Sequence, residues 1–322
     1  MPVTVYKSTD GSAPVLTGAA GSLVTVLDAV LVNGYGAKAA AGWSKAYSGT
    51  NKAAYRTGAG PQHYFRVQDD APNPTLANGR EARVRGFEAM TTVDAGTGPF
   101  PTTAQLANGL FQTKSASDDG TARPWIIVAD SRTLHLWVKS GWYGANWAGS
   151  SFGEYYSTSI PVETHRSIII NRAVELIAAT PNMPEVNERL SDLAAVTAAL
   201  VGHYTPRNWQ GGMQSAVNVG KHGNAAHSAA VMVGLYPYPS PSDGGVHLAP
   251  LTVHEPISGV SIPRGRVRGL WHWLHPAGSQ VSDQDTFSGT GPLAGKSFMI
   301  IKPGPGGLGT FVVETSDTWE TN

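Results

Sequence analysis

Ten histidines are the side chains of this sequence best suited to chemistry, and three groups stand close enough to test: "KHGNAAH" at 221–227, "VHLAPLTVHE" at 246–255 and "WHWLH" at 271–275. None has the spacing of a helical zinc site, because His254-Glu255 runs straight into Pro256, which breaks the helix that an H-E-x-x-H arrangement needs. In "WHWLH", alternation puts His272 on one face of a strand and Trp271 and Trp273 on the other, so a half-buried strand is the expectation. Paired acids, Asp283 with Asp285 and Glu154 with Glu163, could serve glycoside hydrolysis, which needs an acid and a nucleophile or base flanking one bond. Pairs of this kind occur in most chains of this size, and "GSSFG" at 149–153 lacks the G-x-S-x-G spacing of a nucleophile elbow. No catalytic, cofactor-binding or metal-ligating residue is assigned.

A second candidate is the stretch "LVTVLDAVLVNGYGAKA" at 23–39, where Gly34, Gly36 and Ala39 loosely match a dinucleotide fingerprint. That fingerprint needs a strand before the first glycine and a helix after the last, so that phosphate meets the helix N-terminus. Here the order is reversed. Leu23, Leu27, Val30 and Leu31 recur at helical spacing, which predicts a helix over 22–33 with Ser22 as N-cap and Asn33-Gly34 as its stop.

Aromatic residues gather in "GWYGANWAGSSFGEYYS" at 141–157. Trp142, Tyr143, Trp147, Tyr155 and Tyr156 are the candidate interface or ligand aromatics, able to stack on a sugar or to anchor a subunit contact; with Phe152 they could equally form a small core. Arg264, Arg266 and Arg268 of "PRGRVRG" share one strand face, which is expected to be solvated unless it pairs with carboxylates across a subunit boundary.

The elements that must position these groups read as short strands. Glycine at 38 and proline at 22 residues, without a G-X-Y period, imply many turns. "GWSKAYSGTNKAAYRTG" reads as a hairpin and "HYFRV" as the next strand, while "EARVRGFEAM" shows an outward basic face at Arg83 and Arg85. The clearest hairpin spans 125–138 and turns at Asp130-Ser131-Arg132; another, over 297–315, ends the chain. Leu190, Leu193, Ala194 and Leu200 could line a further helix. The expected fold class is therefore α+β and β-rich, with short antiparallel strands and hairpins, a few amphipathic helices and two domains of related size, 1–150 and 151–322.

Composition narrows the partners. With 23 basic and 23 acidic residues there is no net field to attract nucleic acid or an anionic membrane. No cysteine is present, so disulfides and thiolate chemistry are excluded. The opening "MPVTVYKSTDGSAP" has no basic segment followed by an apolar run, and no stretch approaches the roughly 20 apolar residues of a membrane helix, so a soluble chain is expected.

The opening segment 3–56, "ARVRGFEAMTTVDAGTG", "RPWIIVADSRTLHLWV", "DTFSGTGPLAGKSFMIIK" and "FVVETSDTW" together resemble a family of virion structural proteins of tailed bacteriophages. The resemblance implies a place in the particle, assembled in the host cytoplasm, with copies of itself and other virion proteins as partners. It implies a tail or fibre-attachment protein first and a capsid decoration protein as the alternative. A virion-associated protein that binds or degrades host surface glycan is the reading from another class. The family has no catalytic motif to carry over, and heptads or fibre repeats are absent, which favours a compact piece over a shaft.

Overall fold

The computed structural model describes residues 2–70, 80–141, 147–173, 201–216, 218–220, 240, 244–257, 260–275, 281–302 and 310–322. Strand β1 (Thr4–Lys7) is followed by the helix α1 (Ser22–Leu27), which continues as π-helical turns over Asp28–Asn33. Leu23, Val24, Val26, Leu27, Val30 and Leu31 are buried along it, as the spacing predicted. Gly34 ends it at φ 76°, with its N–H donating to the Ala29 carbonyl at 2.8 Å. The expected N-cap differs. Ser22 turns its hydroxyl back to the Thr17 carbonyl (2.8 Å), and Oδ2 of Asp69, distant in sequence, accepts the Leu23 N–H at 2.8 Å. Asp69 lies against Lys114 at 2.5 Å, so the carboxylate at the helix start belongs to a buried ion pair.

A meander follows: β2 (Ser44–Gly49), β3 (Lys52–Arg56), β4 (Tyr64–Gln68), β5 (Arg80–Met90), β6 (Gly96–Phe100) and β7 (Leu110–Ser115). β2, β3, β4 and β5 pair in sequence, and β6 and β7 share the far edge of β5. The 125–138 hairpin is β8 (Trp125–Ala129) and β9 (Thr133–Val138), paired from Trp125↔Val138 to Ala129↔Leu134, and β1 adds to β8. Its turn is closed by Asp130, whose Oδ1 accepts the N–H groups of Arg132 and Thr133, each at 2.8 Å.

The remaining elements are β10 (Ala148–Ser157), β11 (Ser167–Arg172), β12 (Val201–Arg207), β13 (Met213–Ala216), β14 (Asn218–Gly220), β15 (Leu248–Ile257), β16 (Val260–Trp273), β17 (Thr286–Ser288), β18 (Ser297–Ile301) and β19 (Phe311–Glu314). Strands β9, β10, β11, β12 and β13 continue the first sheet, with β7 joining β11 at Phe111↔Arg172. A second sheet runs β14, β15, β16, β19, β18, β17, and contains the expected terminal hairpin. β10 splices the two, because its first part pairs with β9 and β11 while Tyr155–Ser157 pair with Gly265–Val267 of β16. Position 150, the expected division between halves, falls inside β10.

Two cores result. The first gathers the apolar residues of α1 with Tyr55, Phe65 and Val84 of the meander and Trp125, Ile127, Leu136, Phe152 and Ile169 of β8–β11. The second lies between the opposite face of β8, β9 and β11, carrying Ile126, Val128, Trp137, Ile168 and Ile170, and the second sheet, carrying Leu251, Val253, Met299 and Val313. A strand covered on both faces has no polar side to alternate with, which is why "WIIVA" and "SIII" read as unbroken apolar runs.

The expected α+β class with several amphipathic helices is corrected by this arrangement. Among the described residues the fold is antiparallel β, with one short helical segment and a single 3-10 turn at Gly291–Leu293. The apolar residues find their partners through strand alternation between stacked layers, leaving little surface for helices to cover. The expected helix around 190–200 lies outside the described residues. No helix among the described residues is long and apolar enough to cross a membrane.

Candidate functional site

Three polar side chains from distant segments converge where the meander meets β11. His63 stands just before β4, Glu88 projects from β5, and His165 lies in the turn that leads into β11. One potential ligand atom from each lies within 4.8 Å of the other two. The imidazole planes of His63 and His165 are stacked at 7° with centroids 6.2 Å apart. His165 Nδ1 is 3.0 Å from Glu88 Oε1.

Each member is held by a neighbour. His63 Nδ1 meets Ser167 Oγ at 2.9 Å, although the two residues are 104 positions apart in sequence. Arg207 grips Glu88 with two bonds, Nε to Oε1 at 2.7 Å and Nη2 to Oε2 at 2.6 Å. Gly98, at φ 59°, makes the room: a Cβ there would come within 2.1 Å of Glu88 Oε2. Burial pushes the His63 imidazolium down to about 4, against the pull of Glu88 and with the help of His165 and Arg207, so its ring is neutral near pH 7.

No motif spacing announces this group. Glu88 falls on the Ala82, Val84 and Gly86 side of the β5 alternation, opposite Arg83 and Arg85, and nothing beside it in sequence marks it as a ligand, while His63 and His165 stand alone in their segments. Only the pairing of β4 with β5 and the return of β11 bring the three together.

The sequence-nominated aromatics fare differently. Trp142 and Tyr143 lie outside the described residues. Trp147 is 2% exposed, its indole N–H donates to both oxygens of Asp283 (3.0 and 2.9 Å), and Lys139 Nζ stands 4.4 Å over its ring. Tyr155 is fully buried with its hydroxyl donating to Glu163. Phe152 belongs to the first core, and only Tyr156 is half-buried, with Arg266 stacked at 4.7 Å over its ring. β10 passes between the layers, so its rings turn into the cores.

Of the acids considered for hydrolysis, Asp283 meets Lys139 at 3.1 Å and Asp285 Oδ2 accepts the Ser282 N–H, while Glu154 and Glu163 are bound by arginines. Glu154 takes Arg132 at 2.7 Å and Arg166 at 2.6 Å. Burial opposes ionisation of Glu163, but hydrogen bonds from Arg264, Tyr155 and Ser159 outweigh it and hold the carboxyl below its ordinary range. The "PRGRVRG" arginines do not form the expected solvated face. Arg264 is 1% exposed and joins Glu163 (2.5 Å) and Glu255 (2.9 Å), Arg268 pairs with Asp130 (2.7 Å), and Arg266 reaches Glu320 (2.6 Å). Their carboxylate partners all come from the same chain.

Arg264 also organises a surface. Its Nη2 and Nε hold Glu163 of the 158–166 turn, while its Nη1 donates to the Arg207 carbonyl (2.7 Å), at the start of the 207–213 turn. Ile160 and Val162 stand exposed on the first turn, Trp209 and Met213 on the second. Comparison with known proteins finds no matching family model and no matching curated relative.

Proposed function

We propose that this chain is a structural subunit of a tailed-phage virion, located on the tail or its fibre-attachment apparatus and working through protein–protein contacts. The observation that carries the reading is the pair of turns fixed by Arg264, which present Ile160, Val162, Trp209 and Met213 to solvent. Large apolar groups held out to solvent by a buried arginine are suited to a partner surface, and tryptophan is among the side chains enriched at the centre of one. The sequence resemblance to virion structural proteins points the same way and supplies the partners: copies of the same chain and neighbouring virion proteins.

Extensive internal pairing of charge also suits a building block. Arg264, Arg268 and Lys114 are neutralised inside the fold by Glu163, Glu255, Asp130 and Asp69, so assembly does not need to supply counter-charges. Mass spectrometry of gradient-purified particles, followed by a reconstruction of the particle, tests the reading. The expected outcome is a stoichiometric component with density at the tail. Absence from purified particles overturns the proposal, and density on the capsid surface replaces the tail by a decoration role.

A further inference from the structure

We propose that His63, Glu88 and His165 form a binding site for one divalent transition ion of the zinc class. The proposal stands on geometry and is independent of the virion reading. Ligand atoms around a tetrahedral zinc at about 2.1 Å lie about 3.4 Å apart. His165 Nδ1 and Glu88 Oε1 are already at 3.0 Å, and all three ligand atoms fit within 4.8 Å, so the ion needs a contraction and no rebuilding of strands.

The donor set decides the class of ion. Two imidazoles and one carboxylate suit Zn²⁺, Co²⁺ or Ni²⁺, whereas Ca²⁺ and Mg²⁺ require oxygen cages. Ser167 supplies the outer partner: a bond from His63 Nδ1–H to Ser167 Oγ leaves the lone pair on Nε2, the form in which a histidine ligates metal. Glu88 is steadied in the same way by Arg207, which can keep its Nη2 bond to Oε2 while the ion takes Oε1 in place of the Nε–H. The Arg207 charge opposes the incoming cation and sets the affinity below that of a closed cysteine site.

An ion here would join the turn before β11 to the segment before β4 and the strand β5, which are already paired at Tyr64↔Phe87. Three ligands leave a fourth position for water or for a group from a neighbouring chain.

The test uses the full chain stripped with chelator, then dialysed to equilibrium against Zn²⁺ with metal analysis, and against Co²⁺ with visible absorption. The wild-type chain is expected to hold one more equivalent than His165→Ala, a change at a half-exposed turn that leaves both cores intact. Glu88→Gln and Ser167→Ala are expected to bind at least about tenfold more weakly, the first by losing a ligand charge and the second by freeing the His63 ring. The thermal midpoint of wild type should rise with Zn²⁺ concentration while that of His165→Ala stays level. Equal stoichiometry and affinity in wild type and His165→Ala would overturn the site, as would Mg²⁺ or Ca²⁺ binding as tightly as Zn²⁺.

Discussion

Arg268 reaches from the second sheet and places its Nη2 2.7 Å from Oδ2 of Asp130, the residue whose other oxygen closes the β8–β9 turn. The guanidinium is 1% exposed and the carboxylate 7%. It also donates to Thr133 Oγ1 (2.7 Å) and to the Glu320 carbonyl (2.6 Å), so one side chain ties the hairpin, the second sheet and the C-terminal segment together. Gly269, next in sequence, permits this through a bulge in which Leu251 of β15 faces residues 267–270 of β16.

Asp130→Asn keeps an oxygen for the turn but leaves Arg268 buried without its counter-charge. The expected loss is about 3–5 kcal/mol in urea unfolding, with a similar loss for Arg268→Met. Combining the two should cost clearly less than the sum, since the second change removes a group already stranded by the first. Strictly additive losses would show that the pair is not coupled.

His135 gives the fold a dependence on acid. Its ring is fully buried, with Nε2 2.8 Å from the Arg268 carbonyl, to which it donates, and Nδ1 2.7 Å from Ser151 Oγ, which can donate to it in the neutral ring. Burial pushes its ionisation down to about 4, partly offset by the Arg268 carbonyl and Asp130 and reinforced by the charge of Arg268. Below about pH 6.5 the unfolded chain takes up a proton that the folded chain refuses until about pH 4, so stability falls as pH falls across that window. The contribution is on the order of 3 kcal/mol. In His135→Gln the unfolding free energy should show a shallower slope between those pH values than wild type; identical slopes would remove His135 as the cause.

The splice between the sheets depends on one glycine. A Cβ at Gly265 would fall 2.0 Å from the Tyr156 carbonyl oxygen, at the point where β10 pairs with β16. Gly265→Ala must push the strands apart, and a loss of several kcal/mol in chemical unfolding is expected, with the second sheet disturbed first. Gly120, with nothing near its Cβ position and no left-handed backbone, is the control: Gly120→Ala should stay within about 0.5 kcal/mol of wild type. A Gly265→Ala protein as stable as the control would mean that the junction can widen freely.

What the sequence discloses and what it hides follow from how far each signal reaches. The helix over 22–33 is legible because Leu23, Leu27, Val30 and Leu31 repeat within one element, and the 125–138 hairpin because strands and turn are adjacent. The cap on α1 is hidden, since Asp69 arrives from the end of β4 while Ser22 holds the expected position and bonds elsewhere. Arg264 and Arg268 carry the alternation of a wet face, yet that face meets another layer, and no local pattern says whether a strand borders water or a second sheet. Trp147 and Tyr155 look displayed because glycines surround them; β10 turns them inward by running between the cores. His63, Glu88 and His165 leave no trace in sequence because the strand pairings that unite them are long-range.

The two turns fixed by Arg264 yield the prediction closest to assembly. Ile160 is 99% exposed and Trp209 is 48% exposed, so replacing them removes little buried area from the folded chain. Ile160→Asp combined with Trp209→Ser should therefore leave the unfolding free energy within about 1 kcal/mol of wild type, two surface changes of about 0.5 kcal/mol each. Contacts between copies are another matter, since an aspartate at the centre of an apolar contact is desolvated without a partner. Sedimentation velocity over a concentration series should show wild type associating and the double variant shifted toward monomer. Unchanged association in a folded double variant would place the contact surface elsewhere on the molecule, and retained incorporation into particles would remove these turns from the assembly role.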